Sequence, residues 1–355
     1  MVKTCGIEFI ENPQKICFVG QKVFGRAIVL LDEPKTVKKL KLQIYGCAHV
    51  SWEDSSKDSY SDSIVYMDSE TILMEPNVNE TELTIGAGRH TFDFQFDIPE
   101  NCPSSYEGWH GHIRYLVRII FVRPIINQTK AVHFTVMNPL NLNNSDINLS
   151  LPVKDEVKKS LWFSKPIFMS TFIPKTGFVP GERIPVEIDV MNTSSTHIKE
   201  LVVSLVLTAI HQTRTSISTE TDSKILTSVV IPQQEFKSKE STYKTFLEIP
   251  PTLPSSQNLC EILTVKYFVH VTAKLKGMHL NAHVVLPCVI GSIPLGAVSR
   301  DGIHSNRFED YEIELPTYEE AAFMTALKPT SGDEMINDDD KNFLPLVPTF
   351  KVRSS

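Results

Sequence analysis

No catalytic signature occurs in these 355 residues. Gly-x-Ser-x-Gly, His-Glu-x-x-His, Gly-x-Gly-x-x-Gly and the Walker loop are all missing, which removes the common hydrolase, metalloprotease and nucleotide-binding classes. Cysteine is sparse and dispersed, at Cys5, Cys17, Cys47, Cys102, Cys260 and Cys288, with no Cys-x-x-Cys pair. They are too few and too dispersed to read as a disulfide framework. The start, Met1-Val-Lys-Thr-Cys-Gly-Ile-Glu, holds no apolar leader, so a cytoplasmic chain is expected and its Asn-x-Ser/Thr triplets carry no meaning. Residues 277–299 lack Asp, Glu, Lys and Arg, but His279, Asn281, His283, Pro287, Gly291, Pro294 and Gly296 interrupt them. A buried strand followed by a turn fits better than a membrane span.

Net charge is missing from the body and concentrated at the end. Residues 1–300 hold 30 acidic and 30 basic side chains, whereas residues 301–355 hold 12 and 5, so the net charge of −7 lies in the tail. A neutral body with an acidic tail argues against nucleic acid as a partner. It suits a solvated tail that carries short linear motifs.

What the chain does have is a period of two. Phe92, Phe94, Phe96 and Ile98 alternate with Asp93, Gln95 and Asp97; Leu40, Leu42 and Ile44 alternate with Lys39, Lys41 and Gln43; Ile184, Val186, Ile188 and Val190 repeat the pattern. Each series buries one face of a strand. Further strands are predicted at 23–31, 112–122, 130–136, 201–210, 224–231, 241–249, 261–275 and 282–290, with no helix before residue 300. So many short strands exceed one sandwich of about 100 residues. The prediction is all-β: two antiparallel, immunoglobulin-like β-sandwiches followed by a flexible acidic tail. The boundaries are 1–140 for the first sandwich, 141–164 for a linker, 165–298 for the second sandwich and 299–355 for the tail.

Several motifs together resemble the α-arrestin, or arrestin-domain-containing, family. Phe94-Gln-Phe-Asp-Ile-Pro-Glu-Asn-Cys-Pro-Ser-Ser-Tyr-Glu-Gly with Gly111-His-Ile-Arg-Tyr is similar to its amino-terminal domain. Lys175-Thr-Gly-Phe-Val-Pro-Gly-Glu with Asn192-Thr-Ser-Ser is similar to the start of its carboxy-terminal domain, and Gly291-Ser-Ile-Pro-Leu to that domain's end. Pro180-Gly181 is also a turn dipeptide in its own right. The resemblance implies a non-enzymatic adaptor. Its partners would be the cytoplasmic regions of membrane receptors or transporters and a HECT-type ubiquitin ligase with WW domains. Its place would be the cytoplasm, with recruitment to plasma membrane and endosomes and peripheral membrane association. The rival with the same fold is a retromer-type sorting scaffold that recruits no ligase.

The tail supplies the candidate site. In Leu315-Pro316-Thr317-Tyr318 the proline ring suits the aromatic groove of a WW domain and the tyrosine its neighbouring pocket, in an extended shape that loses little entropy on binding. Leu315 stands where the usual ligand has a first proline. Thr317 and Glu320 form a capping box for a short helix after the motif. Val347-Pro348-Thr349-Phe350 has two readings. Pro348 and Phe350 would form a weaker second WW ligand, without the tyrosine hydroxyl; alternatively, Phe343–Phe350 is an apolar end that folds back onto the body.

No cofactor is implied. His110 and His112 in Trp109-His-Gly-His form the nearest approach to a metal site, but a zinc site needs three or four protein ligands and no third is identifiable. Turn and strand packing is the expected role. Cys260 and Cys288 sit beside or within apolar strands and are expected to be buried and inert.

Overall fold

The computed structural model describes residues 2–145, 147–161, 164–215, 218–232, 239–277, 279–296, 311–314, 344–347 and 349–352. The first sandwich is built from β1 (Val2–Phe9), β2 (Ile16–Phe18), β3 (Lys22–Leu31), β4 (Lys35–Val37), β5 (Lys39–Glu53), β6 (Ser59–Met74), β7 (Leu83–Ile85), β8 (Gly88–Asp97), β9 (Tyr106–Glu107), β10 (Gly111–Val122) and β11 (Gln128–Met137). One sheet runs β1-β3-β8 and the other β2-β11-β10-β5-β6, with β9 on β10 and a separate β4-β7 ribbon. Pairing is antiparallel except for β2, which runs parallel to β11.

The period of two sets the register. Phe92, Phe94 and Phe96 share the inner face of β8 while Asp93, Gln95 and Asp97 face solvent. The rings of Phe94 and Phe96 stack at 6.2 Å, and Phe96 meets Phe134 of the opposite sheet at 5.6 Å. A slip of one residue would exchange these rings for two carboxylates and an amide in the core.

The second sandwich repeats the plan with β12 (Val153–Leu161), β13 (Ser164–Ile173), β14 (Gly177–Phe178), β15 (Arg183–Asn192), β16 (Ile198–Gln212), β17 (Thr219–Pro232), β18 (Glu240–Glu248), β19 (Leu263–Leu275) and β20 (Ala282–Ile290). Its sheets are β12-β13-β15-β18 and β14-β20-β19-β16-β17, with β14 parallel to β20. The run without Asp, Glu, Lys or Arg is thus largely strand β20 and the turn after it. No helix among the described residues is long and apolar enough to cross a membrane.

The stretch 141–164 was expected to be linker, yet β12 lies inside it. Lys154, Asp155, Glu156 and Lys158 are exposed on this edge strand, and such charges guard a sheet edge against pairing with other chains. The connection after β11 is short and packed. Leu140 and Leu142 exchange backbone hydrogen bonds with Ser292 and Ile293 at the far end of the second sandwich. Asn143 donates from Nδ2 to the Pro294 carbonyl at 2.8 Å.

Candidate functional site

The tail motif is partly beyond view. Leu315, Pro316, Thr317, Tyr318, Glu320, Phe343 and Pro348 lie outside the described residues. Immediately before the first motif, β21 (Tyr311–Glu314) pairs antiparallel with β22 (Thr349–Val352), and the backbone of Phe350 stands opposite Ile313. The fold-back reading is observed for residues 344–347. Val347 is 2% exposed in a cluster with Ile16 and Met137, flanked by Phe18, Leu253 and Leu346. The Leu346 amide donates to Thr135 Oγ1 at 3.1 Å. Leu346 and Val347 are therefore fastened where β2 and β11 meet the Leu253 loop of the second sandwich.

The seam between the sandwiches carries the polar chemistry. Arg214, after β16, grips Asp62 of β6: Nε and Nη2 donate to the two carboxylate oxygens at 3.0 and 2.7 Å, and the Arg214 amide adds a third bond at 2.8 Å. These bonds hold the Asp62 carboxyl well below the usual carboxylate range. Tyr66 donates to the Leu259 carbonyl at 3.0 Å, and Gln257 donates to the Asn138 carbonyl at 3.1 Å.

A third contact joins His110 to Asp222 of β17, with Nδ1 and Oδ1 2.9 Å apart. Beside them His211 of β16 is fully buried, its Nδ1 3.8 Å from Asp222 Oδ2 and its ring edge-on to that of His110 at 5.8 Å. Burial first, then His110, pushes the His211 pKa down to about 4, so its ring is neutral at ordinary pH. Burial raises the Asp222 carboxyl, opposed by His110.

The His110-x-His112 pair does not act together. His112 is buried on β10 and packs at 5.4 Å against the ring of His49 on β5. His110 stands one residue before β10 and turns to the other sandwich. Strand packing is thus correct for His112 and incomplete for His110. Its companions, 101 and 112 residues further along the chain, left no local signal to find them by.

The cysteines are all free thiols. Burial pushes Cys17 and Cys288 up to about 12, and Cys5 and Cys102 to about 11. At neutral pH these four stay protonated and are poor nucleophiles.

Two strand sandwiches, each with one short parallel strand and locked together across a polar seam, define an arrestin-type scaffold. Residues 5–143 match the arrestin (or S-antigen) N-terminal domain family and residues 164–295 the corresponding C-terminal domain family. The chain belongs to the arrestin family, in its arrestin-domain-containing, or α-arrestin, branch, and its role is that of an arrestin-family adaptor. It is 29% identical over 329 residues to arrestin domain-containing protein 4 of Homo sapiens, covering 86% of this chain and 76% of that one. Arrestin domain-containing protein 17 of Caenorhabditis elegans is 30% identical over 325 residues, covering 84% and 72%. Thioredoxin-interacting protein of Sus scrofa is 27% identical over 290 residues, covering 79% and 73%.

Proposed function

We propose that the protein links the cytoplasmic regions of membrane receptors or transporters to a HECT-type ubiquitin ligase with WW domains, and so promotes cargo ubiquitination, endocytosis and sorting. It acts from the cytoplasm, with recruitment to plasma membrane and endosomes, and performs no catalysis itself. The observation that supports this reading is the sequence Leu315-Pro316-Thr317-Tyr318, which follows β21 in the chain of an arrestin-family protein. The body selects cargo and the tail holds the ligase, so ubiquitin transfer proceeds at the effective concentration set by the tether. A retromer-type scaffold has the same fold but no use for a Pro-x-Tyr motif.

The pairing of β21 with β22 gives the two tail motifs unequal access. Pro316 and Tyr318 follow the paired segment, whereas a WW domain that takes Pro348 and Phe350 must displace β22 and draw Val347 from its pocket. The second site is accordingly the weaker one.

Titrating the full chain with WW domains of HECT ligases tests the reading. Tyr318→Ala weakens binding at least about tenfold, equivalent to about 1.4 kcal/mol, while Phe350→Ala changes it less. An unchanged affinity in Tyr318→Ala removes the ligase from the function.

A further inference from the structure

The His110 contact has coordinating capacity left over. His211 is fully buried, and apart from a loose contact with the Glu220 backbone neither ring nitrogen has a hydrogen-bond partner. Asp222 Oδ2, also shielded from solvent, has none either. Buried imidazoles and carboxylates nearly always satisfy these atoms, and an orphan set is explained by a missing water or ion. His110 joins these two groups: one ligand atom each from His110, His211 and Asp222 all lie within 4.8 Å of one another.

We propose that His110, His211 and Asp222 form a binding site for a divalent transition-metal ion, zinc in particular, that clasps the first sandwich to the second. Two imidazoles and a carboxylate are ligands that zinc accepts at about 2.0–2.2 Å. Around a tetrahedral ion, atoms at that radius stand about 3.4 Å apart. The present cluster therefore needs only a small contraction, in which Asp222 Oδ1 exchanges its contact with His110 for the metal. Magnesium and calcium favour all-oxygen shells and fit this donor set poorly. The fourth position is open to water.

The arrangement is suited to a clasp. His211 and Asp222 sit on neighbouring strands of one sheet, β16 and β17. His110 arrives from the other sandwich on the turn between β9 and β10. Gly111 permits the approach, because a Cβ there would lie 3.0 Å from His211 Cδ2 and 2.8 Å from the His49 carbonyl oxygen. The His110 side chain is one-third exposed, which leaves an entry path for the ion.

The test uses the full chain, stripped with a chelator and titrated with zinc against a competing chromophoric chelator. Cobalt(II) replaces zinc in a parallel titration to report coordination by its visible absorption. The expected result is one tight site per chain, a tetrahedral cobalt spectrum and a higher melting temperature with zinc. His110→Ala, at a partly exposed position that does not carry the core, weakens zinc binding by more than about 100-fold, beyond the loss typical of a residue that only supports a ligand. Asp222→Asn likewise weakens it, and the control His90→Ala does not. Far-ultraviolet circular dichroism of the metal-free variants keeps a folding defect separate from a lost ligand. Zinc affinity in folded His110→Ala and Asp222→Asn equal to that of the parent chain, or no binding tighter than magnesium, overturns the proposal.

Discussion

The two sandwiches use one frame and differ in what they bury. Phe18-Val-Gly-Gln21 and Phe178-Val-Pro-Gly-Glu182 each leave a short parallel strand, β2 or β14, through a glycine in the left-handed region, Gly20 at φ +74° and Gly181 at φ +87°. Each glycine amide donates to the carbonyl that follows an outer strand, Ile98 or Ile249, at 2.8 Å. Ile98 and Ile249 return bonds to Gln21 and Glu182. In both halves a buried tyrosine ties its hydroxyl to a loop carbonyl, Tyr115 to Pro103 and Tyr267 to Leu253. The polarity beneath is unequal. The first sandwich buries Arg114 and Glu107 as a bidentate pair at 2.6 and 2.8 Å. No Asp, Glu, Lys or Arg is buried among the described residues of the second. The difference has a location: Glu107 and Arg114 pin β9 to β10, and the turn between those strands carries His110 into the seam. The shared frame makes a sandwich, and the buried ions of one copy hold the element that meets the other.

Breaking that asymmetry has the largest expected effect. Arg114→Ala leaves the Glu107 carboxylate buried without its partner, a defect of about 3–5 kcal/mol. Denaturant melts of the full chain measure it, with the first sandwich expected to unfold early. Replacing both ions, with Glu107→Leu and Arg114→Met, recovers most of the loss because no lone charge remains. If the single substitution costs under about 1 kcal/mol, the pair is not the pin described here.

The two glycines sharpen the comparison from its conserved side. Alanine at either position meets only ordinary contacts or open space, so the penalty is the backbone conformation, about 1–2 kcal/mol. Gly20→Ala and Gly181→Ala should therefore destabilise their own sandwiches by similar amounts in thermal melts. A large difference would show that the two turns are equivalent in geometry but not in strain.

Much of this frame is legible along the chain, because a half-buried strand writes its burial as alternation. The rings of β8 and the aliphatics of β15 declare their inner face directly. Four of the longer strands, β1, β6, β12 and β13, are not among those predicted, and all but β13 lie at a sheet edge. β6, with Ser59, Ser61, Asp62, Ser63, Asp68 and Ser69, has the composition of a turn, and β12 has that of a charged linker. Their outer edge faces solvent, so little in them must be apolar. The seam was invisible for a different reason. Asp62 and Arg214 are 152 residues apart and His110 and Asp222 are 112 apart, and only the packing of two complete domains brings them together. Val347 lay between these cases: its apolar neighbourhood suggested a fold-back, but nothing local named Ile16 and Met137 as the receiving surface.

The smallest expected effect separates the two seam contacts by pH. Arg214 is partly exposed, so solvent screens the Asp62 clamp and its contribution is modest. The sign is nevertheless fixed. Arg214 lowers the folded pKa of Asp62 below its unfolded value, so the stabilisation is fully present above the unfolded value, near pH 4. It is lost as pH falls through the lower folded value. Asp62→Asn has no charge to titrate, so it should melt below the parent by a constant margin from neutral pH down to about pH 4. Under more acid conditions the two should converge as the parent's own carboxyl takes up a proton. Taking the difference between variants removes the general acid denaturation that both share. A gap that widens as pH falls below 4 would mean that Arg214 does not stabilise the charged form. The clamp would then be only a neutral hydrogen bond across the seam.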